Sequence, residues 1–296
     1  MKKLPDGSIV ALITPFHEDG SVNFDKLKEL VEWHIANGTD GILVLGTTGE
    51  SSTMSHDEDD QVVACAIEQA AGRVPIIVGA GSNDSHTQLE KSMKYEKMGA
   101  DGLLLISPYY NKANRQGLIE HFLLSANAVN IPIILYNIPG RTGQSIPVDV
   151  VEELSHHPMI QGIKEASGNI SYAANIAQFL NEDFKMYSGN DDVIVPMLSL
   201  GASGVISVFA DMMPKEAHEL VQKYLDGDVQ GSLELQMKYL DLIHHLFIEV
   251  NPIPVKEAMN LLGMNVGGYR LPLCPMAPEN KEKLKQSMEK AGLLDA

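Results

Sequence analysis

The sequence predicts an α/β protein built as a (β/α)8 barrel of the TIM type, followed by a C-terminal helical extension. Short unbroken apolar runs alternate with stretches whose apolar residues recur every three or four positions, the pattern of strands followed by amphipathic helices. Eight such units fill about 225 of the 296 residues, close to the roughly 250 that a complete barrel occupies. The strand runs are apolar at successive positions rather than at alternate ones, as parallel strands covered on both faces must be. An open doubly wound sheet fits less well, because it usually has fewer strands and a phosphate-binding glycine turn after the first. Gly79-Ala80-Gly81 lacks the third glycine of that fingerprint.

Residues 8–16 form the first apolar run, and the helix after it spans about 23–37 through Leu27, Leu30, Val31 and Ile35, with Gly38 ending it. Residues 40–46 are the second strand. They lead through Thr47-Thr48-Gly49-Glu50 to Ser55, which with Glu58 three residues on makes a capping box for a helix to about residue 70. The run 75–81 precedes a helix over about 85–97, the run 102–108 one over about 115–129, and the run 132–137 one that begins after Pro147. A strand from Ile160 reaches Lys164 and is followed by a helix from about residue 171. Residues 184–189 and 204–208 complete the eight strands. The barrel is assigned to residues 1–225 and the extension to 226–296, with helices expected over 215–225, 233–249, 254–262 and 279–290.

Composition narrows the function classes. Hydrophobic residues make up 44% and charged residues 21% of the chain, values of a globular protein rather than a disordered one. A formal net charge of −17 offers no positive field to attract phosphate, which argues against nucleic acid or an anionic membrane as partner. Any small anionic substrate must then be held by a few local cations or backbone amides. Cys65 and Cys274 build no disulfide framework. The stretch from Met1 to Gly7 runs directly into the first strand pattern without a signal-peptide core, so a cytoplasmic location is expected.

In such a barrel the reacting groups project from the C-terminal ends of the strands. Lys164 stands at one of these ends, flanked by Ile163 and Ala166, with Gly162 before it and Ser167-Gly168-Asn169 after it. Other lysines, such as Lys26, Lys28, Lys91, Lys94 and Lys97, fall on helical patterns and read as solvated. Burial of Lys164 disfavours its ammonium form and yields a free amine able to attack a carbonyl. The plain alternative is an ion pair with Glu165, but adjacent residues of a strand face opposite ways, which leaves Tyr136 as the expected neighbour. Other strand ends bring Thr47 and Thr48, Tyr109 and Tyr110, Arg141, and the segments around Gly189 and Ile206. An amine, phenols, hydroxyls and a guanidinium suit carbonyl chemistry, in which a Schiff base forms and a hydroxyl chain relays the protons. The amides of Thr47, Thr48 and Gly49 are candidates for a backbone nest that holds a carboxylate. Taken singly, each residue also has a structural explanation: a buried tyrosine in a core, a helix-entry turn, a surface arginine. Their joint appearance at the ends of one barrel favours the chemical one.

No metal centre is expected: among ten histidines, His156-His157 and His244-His245 are adjacent pairs, and no His-x-x-x-His or Cys/His set occurs. No Gly-x-Ser-x-Gly turn follows a strand, so serine-triad hydrolysis is not indicated either.

Five segments in order carry a family resemblance. Gly46-Thr47-Thr48-Gly49-Glu50, the run from Tyr136 to Gly143, the run from Gly162 to Gly168, the run from Asn251 to Lys256, and Arg270-Leu271-Pro272-Leu273 together resemble the dihydrodipicolinate synthases, within the wider superfamily of pyruvate-dependent class I aldolases. The resemblance implies condensation of pyruvate with L-aspartate 4-semialdehyde, a step towards diaminopimelate and lysine, without cofactor or metal. It implies Lys164 as the Schiff-base lysine, and Tyr136, Thr47 and Tyr110 as a proton relay, with Tyr110 reaching into a neighbouring subunit. It further implies Thr48 as a ligand of the pyruvate carboxylate, the Gly189 and Ile206 backbones as pocket wall, Arg141 as the ligand of the semialdehyde carboxylate, and a homotetramer built as a dimer of dimers. Another keto-acid lyase of the superfamily, similar to N-acetylneuraminate lyase, and a catalytically silent binding barrel are the alternatives; Arg141 and Tyr110 together favour the synthase.

Ser51, His56, Asn83 and Tyr109 match a pocket where lysine-inhibited relatives bind lysine. Asp59 stands where those relatives usually have histidine, and Thr87 where they have a glutamate. Loss of that carboxylate removes a charge-assisted hydrogen bond of about 1.5–3 kcal/mol, so weak or absent lysine feedback is expected; inhibition at submillimolar lysine in a steady-state assay contradicts this.

Overall fold

In a computed structural model, which describes residues 2–295, eight parallel strands close into one barrel in sequence order. The strands are β1 (Gly7–Ala11), β2 (Gly41–Val44), β3 (Ile76–Gly79), β4 (Gly102–Ile106), β5 (Ile133–Asn137), β6 (Ile160–Glu165), β7 (Lys185–Ser188) and β8 (Gly204–Ser207). The helices are α1 (Phe24–Ala36), α2 (His56–Ala70), α3 (Ser85–Met98), α4 (Arg115–Ala126), α5 (Pro139–Thr142), α6 (Val148–Ser155), α7 (Ile170–Ala177), α8 (Ile194–Ser199), α9 (Pro214–Leu225), α10 (Val229–His245), α11 (Ile253–Leu261) and α12 (Pro278–Lys290).

Successive side chains of a strand point to opposite faces, and this sorts the apolar residues into two cores. Ile9, Ala11, Leu43, Ile77, Leu104, Ile134, Tyr136, Tyr187 and Ile206 fill the barrel interior. The alternate set, including Val10, Ile42, Val44, Val78, Leu105, Leu135 and Ile163, packs outward against the helices. Closure depends on the β1–β8 seam, where Gly7 pairs with Gly204. A Cβ on Gly204 would lie 1.9 Å from the Gly7 carbonyl oxygen, and one on Gly7 2.1 Å from Asp40 Oδ2. Glycine at 204 lets these two strands approach, while glycine at 7, with φ 113°, leaves room for Asp40.

Helix starts follow local chemistry. The expected capping box is present: the Ser55 side chain accepts from Glu58 N, and the Glu58 side chain accepts from Ser55 N, an arrangement that contributes about 1 kcal/mol. The helix expected over 233–249 instead begins four residues earlier, because Asp228 caps α10 by accepting from Gly231 N at 2.9 Å. Strand β1 is shorter than the apolar run 8–16. Past Ala11 the chain turns inward, with Ile13 N bonded to Asp211 Oδ1 and Phe16 N to Val266 O; the run stays apolar because Leu12, Ile13 and Phe16 are core residues of a loop. Beyond α9 the chain folds back: α10 packs on α9 and α12, and α11 packs on α12. This brings Ile243, His244, Phe247 and Asn251 over the C-terminal mouth of the barrel. Among the described residues no helix is long and apolar enough to cross a membrane.

Candidate active site

A cavity of about 550 Å³ opens at the C-terminal ends of the strands, walled by Thr47 and Thr48 after β2, Tyr136 on β5, Arg141 on α5, Lys164 on β6, and Gly189 and Asp191 after β7. Lys164 is only 5% exposed. Tyr136 and Lys164 are register partners of adjacent parallel strands, so both point inward, and Lys164 Nζ lies 4.7 Å from the Tyr136 ring centroid. Glu165 faces out of the barrel, where it accepts from Asn137 Nδ2 at 2.6 Å and Ser167 N at 2.7 Å. The lysine therefore has no ion pair with its sequence neighbour, as strand alternation requires.

The electrostatics follow from burial. Desolvation brings the Lys164 ammonium down from 10.5 to about 8; Asp191 and Asp211 oppose this and Arg141 assists it. Desolvation pushes the Tyr136 phenol up to about 12, against the pull of Arg141 and the Thr47 hydroxyl. At pH 7 about a tenth of Lys164 is thus a free amine, far more than for a solvated lysine, while Tyr136 keeps its proton and can donate or pass it on.

Thr48 is buried, and its hydroxyl accepts from Asn251 Nδ2 at 3.0 Å. Arg141 Nη2 in turn donates to the Asn251 carbonyl at 3.3 Å. Gly189 touches the lysine itself: a Cβ there would lie 2.5 Å from Ala166 Cβ and 3.1 Å from Lys164 Cε, so any side chain would displace the amine. One expectation needs correcting. The Gly49 amide is spent within the turn, on Gly46 O at 3.1 Å, leaving only Thr47 and Thr48, among the described residues, with amides free of protein acceptors at this turn. The Ile206 side chain belongs to the interior packing of the barrel, and Val208, two residues on, lines the cavity.

Tyr110 is the one proposed relay member away from its own chain's cavity; it is 93% exposed, in a left-handed backbone conformation at φ 69°. Ser51, His56 and Tyr109 line a second cavity of about 330 Å³ that shares Thr47 and Tyr136 with the first. Asn83 lies at its edge, donating to Tyr109 O at 3.2 Å. Asp59 and Thr87 are on its wall as well, with Asp59 paired to Lys91 at 2.9 Å.

Sequence reading missed Asn251, Asp191 and the support beneath the Thr47-Thr48 turn. Glu50 and Lys256 form a buried pair at 2.7 Å, and Lys256 also donates to Thr14 O at 2.9 Å. Arg270 grips Glu58 at 2.9 Å and Gly20 O at 2.8 Å. Asn251, Lys256 and Arg270 did stand in the recognised segments, which was their only signal.

Comparison with known proteins shows what the whole chain is similar to. The model of the dihydrodipicolinate synthetase family matches residues 4–291. The 4-hydroxy-tetrahydrodipicolinate synthase of Caldicellulosiruptor saccharolyticus is 53% identical over 287 residues, 97% of each chain. The crystal structure of dihydrodipicolinate synthase from Aquifex aeolicus superposes with a TM-score of 0.95 at 46% identity, over 98% of this chain and 100% of that one. The chloride-inhibited dihydrodipicolinate synthase of Acinetobacter baumannii, solved with pyruvate, gives a TM-score of 0.95 at 42% identity, over 98% and 99% of the two chains. The chain belongs to the dihydrodipicolinate synthetase family.

Proposed function

We propose that this chain is a 4-hydroxy-tetrahydrodipicolinate synthase that condenses pyruvate, held as a Schiff base on Lys164, with L-aspartate 4-semialdehyde. The observation that carries the reading is a buried lysine amine beside Tyr136, in a cavity whose mouth holds Arg141. Relatives at about half identity bear the same activity in their names, and one similar enzyme was solved with pyruvate.

The neutral amine of Lys164 attacks the keto carbon, and Tyr136 with Thr47 moves the protons that dehydration and enamine formation require. The Thr48 hydroxyl and the backbone around Thr47, Thr48 and Gly189 hold the pyruvate carboxylate. Arg141 binds the carboxylate of the semialdehyde, for which a guanidinium fork is suited, and Asn251 fixes both Thr48 and Arg141. Tyr110, exposed on its own chain, completes the relay in a second copy, within a cytoplasmic homotetramer arranged as a dimer of dimers. Residues 1–225 supply the barrel and residues 226–296 the extension that covers its mouth. The cavity around Ser51, His56, Asn83 and Tyr109 is a weak lysine site, because Lys91 already neutralises Asp59 and Thr87 offers no charge. Incubation with pyruvate and L-aspartate 4-semialdehyde tests the assignment: the condensation product is expected, and its absence with both substrates saturating contradicts it.

A further inference from the structure

Two buried carboxyls whose charge acts on the reacting lysine have no part in the reading above. Asp191 follows β7 and lines the cavity; Asp211 ends the short turn Phe209–Asp211 after β8. Asp191 Oδ2 accepts the amides of Val208 at 3.0 Å and Phe209 at 2.9 Å, the amides that open the turn carrying Asp211. Asp211 Oδ1 accepts the Ile13 amide at 2.9 Å. The second oxygen of each, Asp191 Oδ1 and Asp211 Oδ2, is buried with no partner among the described residues. Buried polar atoms are seldom left so, and with Asp191 opposing ionisation of Asp211 one of the two carboxyls is better kept protonated. Asp191 receives two backbone amides, with the Ser207 hydroxyl also favouring its ionised form, against one amide for Asp211. The charge therefore rests on Asp191 and the proton on Asp211, in line with the burial that pushes Asp211 well above the usual carboxylate range.

We propose that Asp191, backed by protonated Asp211, is the counter-charge for the cationic iminium that Lys164 forms with pyruvate. It is a positioning residue acting on the lysine across the cavity, and the inference rests on the Schiff-base reading. When the amine adds to the keto carbon, a C–N bond forms, and the former carbonyl oxygen takes one proton from nitrogen and one from the relay. That oxygen leaves as water, and the iminium nitrogen retains one positive charge until a methyl proton is removed to give the neutral enamine. The groups facing this charge are Tyr136 from β5, Arg141 from α5, Asp191 and Asp192 after β7, Asp211 after β8, and His244 from α10. Lys256, itself paired with Glu50, faces Asp211 from α11. Arg141 adds to the positive charge at the mouth, and Asp191 is the cavity-wall carboxylate that acts most strongly on the lysine.

The test is cyanoborohydride trapping of the pyruvate adduct across pH, comparing the unmodified protein with Asp191→Asn, which keeps the amide acceptor but not the charge. Each protein is first checked for folding by circular dichroism. The acid limb of the profile should move down by about one pH unit and half-saturating pyruvate should rise about tenfold, one unit being tenfold in equilibrium. An unmoved limb, including a uniform loss of adduct at every pH, overturns the proposal, since a merely structural role lowers yield without shifting titration. Should Asp191→Asn not fold, infrared spectra decide: the unmodified protein at neutral pH should show a buried carboxylic-acid carbonyl band that Asp211→Asn lacks, and absence of that band overturns the proposal, since Asp191 then lacks its protonated neighbour. No adduct on the unmodified protein overturns the Schiff-base reading itself, an outcome distinct from an unshifted variant.

Discussion

Burial takes the Lys164 ammonium from 10.5 to about 8, so protonating this side chain is harder in the folded protein than in the unfolded one. At about 1.4 kcal/mol per unit the difference is roughly 3 kcal/mol. Between about pH 8 and 10.5 the unfolded chain binds more protons, so this group makes stability rise with pH across that window. Below pH 8 both states are protonated and the full cost persists. Lys164→Met should therefore be more stable than the unmodified protein at pH 7, by up to about 3 kcal/mol in urea denaturation, with the gap narrowing as pH rises through the window; equal or lower stability at pH 7 counts against a strained amine. Arg141→Ala should still trap pyruvate on Lys164 but lose roughly tenfold to hundredfold in turnover with the semialdehyde, the worth of a charge-assisted hydrogen bond; normal turnover would sink the role assigned to Arg141. Lys164 and Tyr136 were legible in the sequence because alternation along a strand fixes the face and barrel geometry fixes the functional end. Asp191 was not, because strand patterns say where a loop begins and nothing about which of its carboxyls turns back into the mouth.

Elements are joined here by charges that lie far apart in sequence. Glu50, in the turn after β2, and Lys256, on α11, are both buried, and their pair fixes the turn that presents Thr47 and Thr48. Removing one partner leaves an uncompensated buried charge. Lys256→Met should cost about 3–5 kcal/mol, whereas adding Glu50→Gln to it should recover much of that loss. Denaturation midpoints of the two variants check this, and a double variant no more stable than the single one contradicts the pairing. No single sequence can match such residues, because pairing across about two hundred positions leaves no local pattern. The capping box at Ser55 was readable since both of its members lie within one turn. The length of β1 was not: apolar residues in a buried loop look the same as those in a strand, and the boundary is set by the Ile13 amide turning to Asp211.

At the scale of the molecule, the eightfold alternation was enough to name the architecture, and the strand order closes as that count demands. Tyr110 lies outside its own cavity, 93% exposed, so the proposed relay needs a second copy to bring it to a site. Mixing Lys164→Ala with Tyr110→Phe subunits under exchange should raise activity above the average of the two, because one mixed site then holds an intact lysine and an intact tyrosine. Activity that stays at the average places Tyr110 outside the relay. The central claim is that one buried amine carries the chemistry, and reduction with borohydride in the presence of pyruvate tests it most directly. Intact mass and peptide mapping should show a single irreversible adduct on the peptide bearing Lys164, absent without pyruvate; no adduct, or one on another lysine such as Lys256, would contradict the account.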